Sequence, residues 1–231
     1  MGVYTRNSIV VTGLICYLDA GSRQSYVSGS SVWNDLSATG NTGSLTNAPT
    51  FVLDKGGSFR FNGSTNTIEV PDNPTLDLVG DKTLACWVYM GADSAGCGIT
   101  GKSNSTVAGM ALGYGWNGNG FMALAWNSTN NPFLVKDLAR DIQKWVYLAA
   151  VQSGTTRYIY VCDIQGLRSS SYVGGTHTWD NTQSLTIGNA NNGSNVAPAN
   201  TQVAIVSVYN RALSLQEIVQ NYNATKGRFG L

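Results

Sequence analysis

The chain reads as short runs of alternating or continuous apolar residues, and nearly every run ends at a cluster of Gly, Asn, Ser or Asp. Ser58-Phe59-Arg60-Phe61 alternates and closes at Asn62-Gly63, and Thr67-Ile68-Glu69-Val70 alternates again. Residues 84–90 form a nearly continuous apolar run, as a central strand buried on both faces requires. Residues 110–116 and 121–126 flank Asn117-Gly118-Asn119-Gly120, a strong hairpin signal because Asn-Gly accepts positive φ cheaply. Residues 145–151 and 158–164 flank Ser153-Gly154-Thr155-Thr156 and predict a second hairpin, and residues 185–187 and 203–209 complete the set. Runs about 8–15 residues apart with turns between are the pattern of a sandwich or barrel. No repeat or linker interrupts residues 1–231, so one all-β domain is expected.

One helix is expected near the end, over about residues 214–226. Ser214-Leu215-Gln216-Glu217 is a capping box, and Leu215, Ile218, Val219 and Tyr222 follow as one apolar stripe. Gly227 is placed to cap it, with Lys226 and Arg228 suiting the helix dipole. Residues 9–18 are read as a first strand rather than a signal sequence, because Thr12 and Gly13 break the run and no small-x-small site follows. The sequons at Asn62, Asn104, Asn127, Asn192 and Asn223 are expected to stay unmodified.

Charge narrows the function. Only 12% of the residues are charged, and 14 Lys plus Arg against 13 Asp plus Glu leave a net charge of +1. With no basic block, nucleic acid is not an expected partner. No apolar run reaches the roughly 18–20 residues of a membrane helix, so membrane insertion is not expected either. His177 is the single histidine, which excludes a multi-histidine metal site and argues against a Ser-His-Asp hydrolase. The cysteines at 16, 86, 97 and 162 form no CxxC pair and are expected as buried thiols rather than zinc ligands.

Several segments resemble a known family. Gly13-Leu14-Ile15-Cys16-Tyr17-Leu18-Asp19-Ala20-Gly21 is similar to the opening of concanavalin A-like, laminin-G-like jelly-roll proteins, in a version typical of virion proteins of marine tailed phages. Ser25-Tyr26, Val32-Trp33-Asn34-Asp35-Leu36-Ser37 and Leu45-Thr46-Asn47-Ala48-Pro49-Thr50-Phe51 resemble its continuation. Gly57-Ser58-Phe59-Arg60-Phe61-Asn62-Gly63 and Thr83-Leu84-Ala85-Cys86-Trp87-Val88 resemble inner strands of the family. Val208-Tyr209-Asn210-Arg211-Ala212-Leu213-Ser214 with Glu217-Ile218 resembles its end. The resemblance implies two antiparallel sheets in a concanavalin A-like jelly roll with a short C-terminal helix. Relatives commonly hold calcium on loop carboxylates; here the acidic position after the Asn62-Gly63 turn is Asn66, so calcium is not favoured and no cofactor is expected, although Asp72 and Asp77 remain nearby.

Glycosidases of such a fold need paired carboxylates at alternating positions on one strand, and no E-x-D-x-E run exists here, so no catalytic residue is assigned. Sugar platforms are sought among the six tryptophans. Trp87 and Trp145 lie in apolar strands and are expected in the core, with Trp33 a plug at a sheet edge. Trp116, Trp126 and Trp179 border Gly/Asn-rich loops, and Asn117 and Asn127 beside them carry amides that can bond hydroxyls; these five are the candidate glycan residues. Arg211 is expected to anchor a turn. Arg228, Phe229 and Leu231 are candidate partner-contact residues, in a tail that docks either on its own domain or on a neighbouring subunit.

The expected function is that of a non-enzymatic virion surface protein of a tailed phage, made in the host cytoplasm, as a capsid decoration or head-fibre subunit. Its expected partners are the major capsid protein or other virion proteins, copies of itself (a trimer at a capsid axis) and host glycans. The alternative is a lectin-like receptor-binding tail module, and a polysaccharide hydrolase comes third.

Overall fold

The structure is a computed structural model that describes residues 8–103, 109–115, 120–127, 130–136, 141–174, 182–190 and 195–231, with residues 124–127 and 130–136 described by backbone alone. In chain order the described strands are β1 (Leu14–Asp19), β2 (Val32–Trp33), β3 (Gly43–Thr46), β4 (Thr50–Val52), β5 (Ser58–Arg60), β6 (Thr67–Val70), β7 (Lys82–Tyr89), β8 (Cys97–Gly101), β9 (Gly109–Tyr114), β10 (Phe121–Asn127), β11 (Asn130–Lys136), β12 (Trp145–Ser153), β13 (Thr156–Asp163), β14 (Gly166–Val173), β15 (Leu185–Ile187) and β16 (Gln202–Tyr209). The helix α1 spans Leu215–Thr225. The first sheet runs β14-β13-β12-β7-β16-β5-β4, with β1 also paired to β16; the second runs β11-β10-β9-β8-β15-β6-β3-β2. The strand pairs are antiparallel, including both hairpins expected from the turn residues, where Tyr114 faces Phe121 and Ser153 faces Thr156.

The two sheets bury their inner faces against each other. Leu84, Cys86 and Val88 of β7, Leu148 of β12, Val206 of β16, Ile99 of β8, Leu112 of β9 and Phe121 of β10 belong to this core. The continuous apolar run of β7 has a second cause. Ala85 and Trp87 point the other way, into an outer cluster with Tyr147, Tyr209, Ile218 and Phe229, so α1 covers the outer face of the first sheet. A strand with a sandwich core on one side and a helix on the other has no solvent face on which to place polar residues. The four cysteines are buried and free.

Two local expectations change. Residues 9–13 do not extend the first strand. Val10 donates its N–H to Asn221 Oδ1 at 2.8 Å and accepts from the Tyr209 hydroxyl at 3.0 Å, so this segment runs beneath α1 before β1 begins. Gly227 does not end the helical segment. A 3-10 turn continues over Lys226–Phe229, and Gly230, at φ 80, is the left-handed terminator. The extra turn delivers Phe229 onto Trp87, ring centroids 4.1 Å apart and 23° from parallel, so burial of an aromatic ring decides where the helix stops. β14 escaped notice because it is an exposed edge strand, Gly-Leu-Arg-Ser-Ser-Ser-Tyr-Val, with no apolar alternation to read.

Replacing Phe229 with Ala removes the ring that fills the space above Trp87. A loss of about 3 kcal/mol in unfolding free energy is expected. It should appear as a lower denaturant midpoint with an unchanged m-value.

Candidate functional site

Of the candidate glycan residues, Trp116, Asn117 and Trp179 lie outside the described residues, as does His177. Trp126 and Asn127 stand at the end of β10, opposite Gly109 and Asn130, and are placed by backbone alone. The other three tryptophans are internal. Trp33 is fully buried against Phe59. Trp87 is fully buried and donates its indole N–H to Thr225 Oγ1 at 2.8 Å. Trp145 stacks obliquely on Phe229 at 4.8 Å.

The open clefts lie elsewhere, at the edge where β4 and β2 end their sheets. Tyr26 stands on the connection between β1 and β2, its backbone tied to Ser22 O at 2.8 Å and its hydroxyl to Ser30 O at 3.2 Å. Its ring meets Phe59 edge-on at 4.7 Å and Phe51 at 4.9 Å, which fixes it as a ridge. A cleft opens on each side. One, of about 420 Å³, is lined by Tyr26, Phe51, Leu45, Pro49, Ser28, Ser30 and Ser31, with the Ser30 hydroxyl bonded to the Val32 backbone. The other, of about 450 Å³, adds Arg23, Val27 and Leu53. Val27 is 63% exposed and Leu53 74%, so apolar surface faces water on the rim of this second cleft. Beside the first, Asn47 and Ala48 take φ of 56° and 52°, a left-handed pair without glycine. Asn66 supports the strained turn: its amide donates to Asn47 O at 2.5 Å and accepts from Asn62 N at 2.9 Å. Aromatic edge, aliphatic rim and a row of hydroxyls with one guanidinium suit a ligand that has apolar faces and hydroxyl edges.

This site was missed in the sequence because Tyr26, Val27, Phe51 and Leu53 sit in short segments with no periodicity. The available signal was the serine-rich stretch Ser28-Gly29-Ser30-Ser31 two residues after Tyr26.

Several carboxylates hold structure together. Asp35 accepts from the backbone N–H of Tyr17, Ser37 and Asn41, each at 2.8 Å. Asp72 and Asp77 both contact the fully buried Lys102, at 2.9 and 2.8 Å, so an ammonium already occupies the space between the two acids nearest the turn. Asp141 and Asp163 share Arg168 and Lys144. Among the described residues no group of three or more His, Cys, Asp or Glu is gathered as a metal would need. Burial pushes the Cys97 and Cys162 thiols up to about 12 and raises Cys16 and Cys86 as well, which removes them as nucleophiles at neutral pH.

Arg211 anchors the turn before α1, as expected. It bonds Thr12 O at 2.9 Å and grips Glu217 with both terminal nitrogens, at 3.0 and 2.6 Å. Hydrogen bonding from Arg211, helped by the Ser214 backbone, draws the Glu217 carboxyl from 4.5 down to about 2. The tail docks on its own domain, which decides between its two readings. Arg228 bonds Lys55 O at 2.6 Å and also reaches Asp19 and Gly57 O; Phe229 is buried, and Leu231 packs on the outer cluster. Arg228 and Phe229 thus make polar and apolar contacts within the chain.

Comparison with known proteins places these features in a family. The family described as the concanavalin A-like lectin/glucanases superfamily, of laminin G type, matches residues 62–219. Domain 4 of AbnA, a GH43 extracellular arabinanase from Geobacillus stearothermophilus solved in complex with arabinotriose, superposes at TM-score 0.69 and 15% identity, covering 93% of this chain and 100% of that one. The botulinum neurotoxin serotype D binding domain gives 0.68 at 12% identity, over 93% of this chain and 52% of that one. Trypanosoma rangeli sialidase in complex with the inhibitor DANA gives 0.65 at 16% identity, over 97% and 34%. The chain thus spans about a third of the sialidase and half of the toxin domain, and at these identities the likeness is one of fold. No curated protein sequence matches the chain.

Two outcomes follow from the charges. Lys102→Met should cost roughly 2 kcal/mol, the discounted cost of breaking a buried ion pair whose aspartates are about a third exposed, measured by chemical denaturation. For Glu217 the folded carboxyl titrates below its unfolded value, so its contribution is complete above pH 4.5 and disappears as pH falls toward about 2. Glu217→Gln should therefore be less stable than the parent at pH 6 and approach it at pH 2 in melting temperature.

Proposed function

The chain belongs to the concanavalin A-like lectin/glucanases superfamily, and on that premise we propose that it is a non-enzymatic binding domain on the virion surface of a tailed phage, acting as a capsid decoration or head-fibre subunit that holds host glycans. The observation that carries the binding role is the pair of clefts astride Tyr26 and Phe51, built from aromatic edge, aliphatic rim and serine hydroxyls. Pyranose and furanose rings pair with such surfaces through their C–H faces and hydroxyl edges. The non-enzymatic role is supported by the commitment of Asp35, Asp72, Asp77, Asp141, Asp163 and Glu217 to structural partners. Binding would need no calcium, because Lys102 supplies the positive charge between Asp72 and Asp77.

The virion setting rests on the opening and closing segments that resemble phage virion proteins. In that setting the domain would be made in the host cytoplasm and would pack against the major capsid protein and against copies of itself, as a trimer at a capsid axis. A neutral surface suits crowding, since identical copies do not repel. The second reading, a lectin-like receptor-binding tail module, is favoured by one observation: the superposed arabinanase domain, matched over its whole length, was solved with arabinotriose.

Titrating neutral oligosaccharides against the protein by calorimetry, with and without a chelator, tests the binding role. Binding is expected in both conditions, and Leu53→Asp should weaken it roughly tenfold, a change of about 1.4 kcal/mol, without lowering the melting temperature. No binding across a broad glycan panel would overturn it. Mass spectrometry of purified virions tests the location, and absence of the protein from them would overturn that part.

A further inference from the structure

A second surface carries the same chemistry on the far side of the first sheet. Tyr158 and Tyr160 stand two residues apart on β13, so both rings project from one face. Their centroids are 5.9 Å apart and their planes 15° from parallel. Tyr160 packs in the outer cluster and Tyr158 against it, which sets the rings as a rigid shelf. The segment before α1 forms a wall over them, leaving a cleft of about 330 Å³ floored by Val151 and Ser153 and edged by Ser214 and Leu215. Leu215, the first residue of α1, is 47% exposed at the lip. On the open side, Ser171 and Ser169 of β14 stand directly opposite Tyr158 and Tyr160 and are exposed, so two more hydroxyls border the rings. No charged side chain lines this cleft among the described residues.

We propose that this tyrosine shelf is a second site for neutral saccharides, separate from the Tyr26–Phe51 clefts; the inference rests on reading the chain as a glycan binder and makes it bivalent. The charge-free lining decides the ligand class. The two rings are near-parallel, Tyr158 half-buried and Tyr160 buried behind it, so apolar ring surface borders the cleft where the C–H face of a sugar can pack, and the serine hydroxyls at both margins can exchange hydrogen bonds with its rim. An acidic sugar or a charged peptide would lose hydration there and gain no counter-charge. The two sites are far apart: β13 and β4 are separated by five strand spacings in the sheet order, about 24 Å at ~4.8 Å per strand. A short oligosaccharide therefore fills them independently, whereas a polymer can engage both on neighbouring copies or along one chain.

The test is amide-resonance mapping of the whole chain during titration with maltotriose, cellotriose, arabinotriose and, as the acidic control, trigalacturonate, followed by affinity electrophoresis in gels containing the matching polysaccharide. A neutral trisaccharide should give saturable shifts at Tyr158, Tyr160, Ser169 and Ser171 that persist in Leu53→Asp and are lost in Tyr158→Ala. Leu215→Asp, at the exposed lip, should weaken the shelf by roughly tenfold and serves if Tyr158→Ala fails to fold. Combining Leu215→Asp with Leu53→Asp should lower retention on the polymer by roughly a hundredfold from the parent, about tenfold beyond either alone. Shifts confined to residues 20–56 would overturn the second site and leave the proposed function standing. Shifts nowhere would overturn both. Shelf shifts that depend on protein concentration without sugar would assign the shelf to a second copy of the chain and overturn the inference, as would tighter binding of trigalacturonate there.

Discussion

Trp87 sits at the middle of the first sheet with its indole facing outward, and the terminal segments are arranged around it. Phe229 stacks on it at 4.1 Å, Tyr222 at 5.7 Å, and Thr225 accepts its N–H at 2.8 Å. The helix is short, and one of this length is marginal alone in water. Its stability comes from laying Ile218, Tyr222 and the tail on that ring. The N-terminal segment depends on the same assembly, because Asn221 and Tyr209 hold Val10 beneath the helix. The chain's own ends cover the middle of the outer face, and both surface sites lie toward the margins of the sheet.

The scarcity of charge has a structural counterpart. Many of the ionic groups are gathered into short-range networks: Arg211 with Glu217, Lys102 with Asp72 and Asp77, Arg168 and Lys144 with Asp141 and Asp163, Arg228 with Asp19. Partly shielded pairs hold loops and termini more firmly than exposed pairs would. What remains on the clefts is hydroxyl, backbone, aromatic edge and aliphatic rim, with the Arg23 guanidinium on one of them. A surface of that kind recognises ligands by shape and desolvation, and it makes little use of long-range steering.

Much of the fold was legible in the residues. The pairing of β9 with β10 and of β12 with β13, the capping box at Ser214 and the buried thiols follow from period, turn chemistry and apolar context. The sites were less legible. A tryptophan sealing a core and a tryptophan exposed for stacking have the same neighbours in sequence, and Trp33, Trp87 and Trp145 proved to seal. Tyr26 and Phe51 are separated along the chain and become a ridge only when β4 and the loop before β2 meet at a common edge. Tyr158 and Tyr160 read as ordinary alternating strand residues, and the wall that turns them into a cleft comes from residues 212–215.

The sequence by itself determined that this chain is all-β with one capped helix, since alternation, turn residues and capping act over a few neighbours and need no partner elsewhere. Only the tertiary structure decided which aromatic rings are buried, where the helical segment ends and which acids are neutralised. Those outcomes depend on contacts between residues far apart in the chain: Phe229 reaching Trp87, Lys102 reaching Asp72 and Asp77, Arg228 reaching Asp19. No local pattern carries such a contact, because its energy exists only once the sheets have brought the partners together.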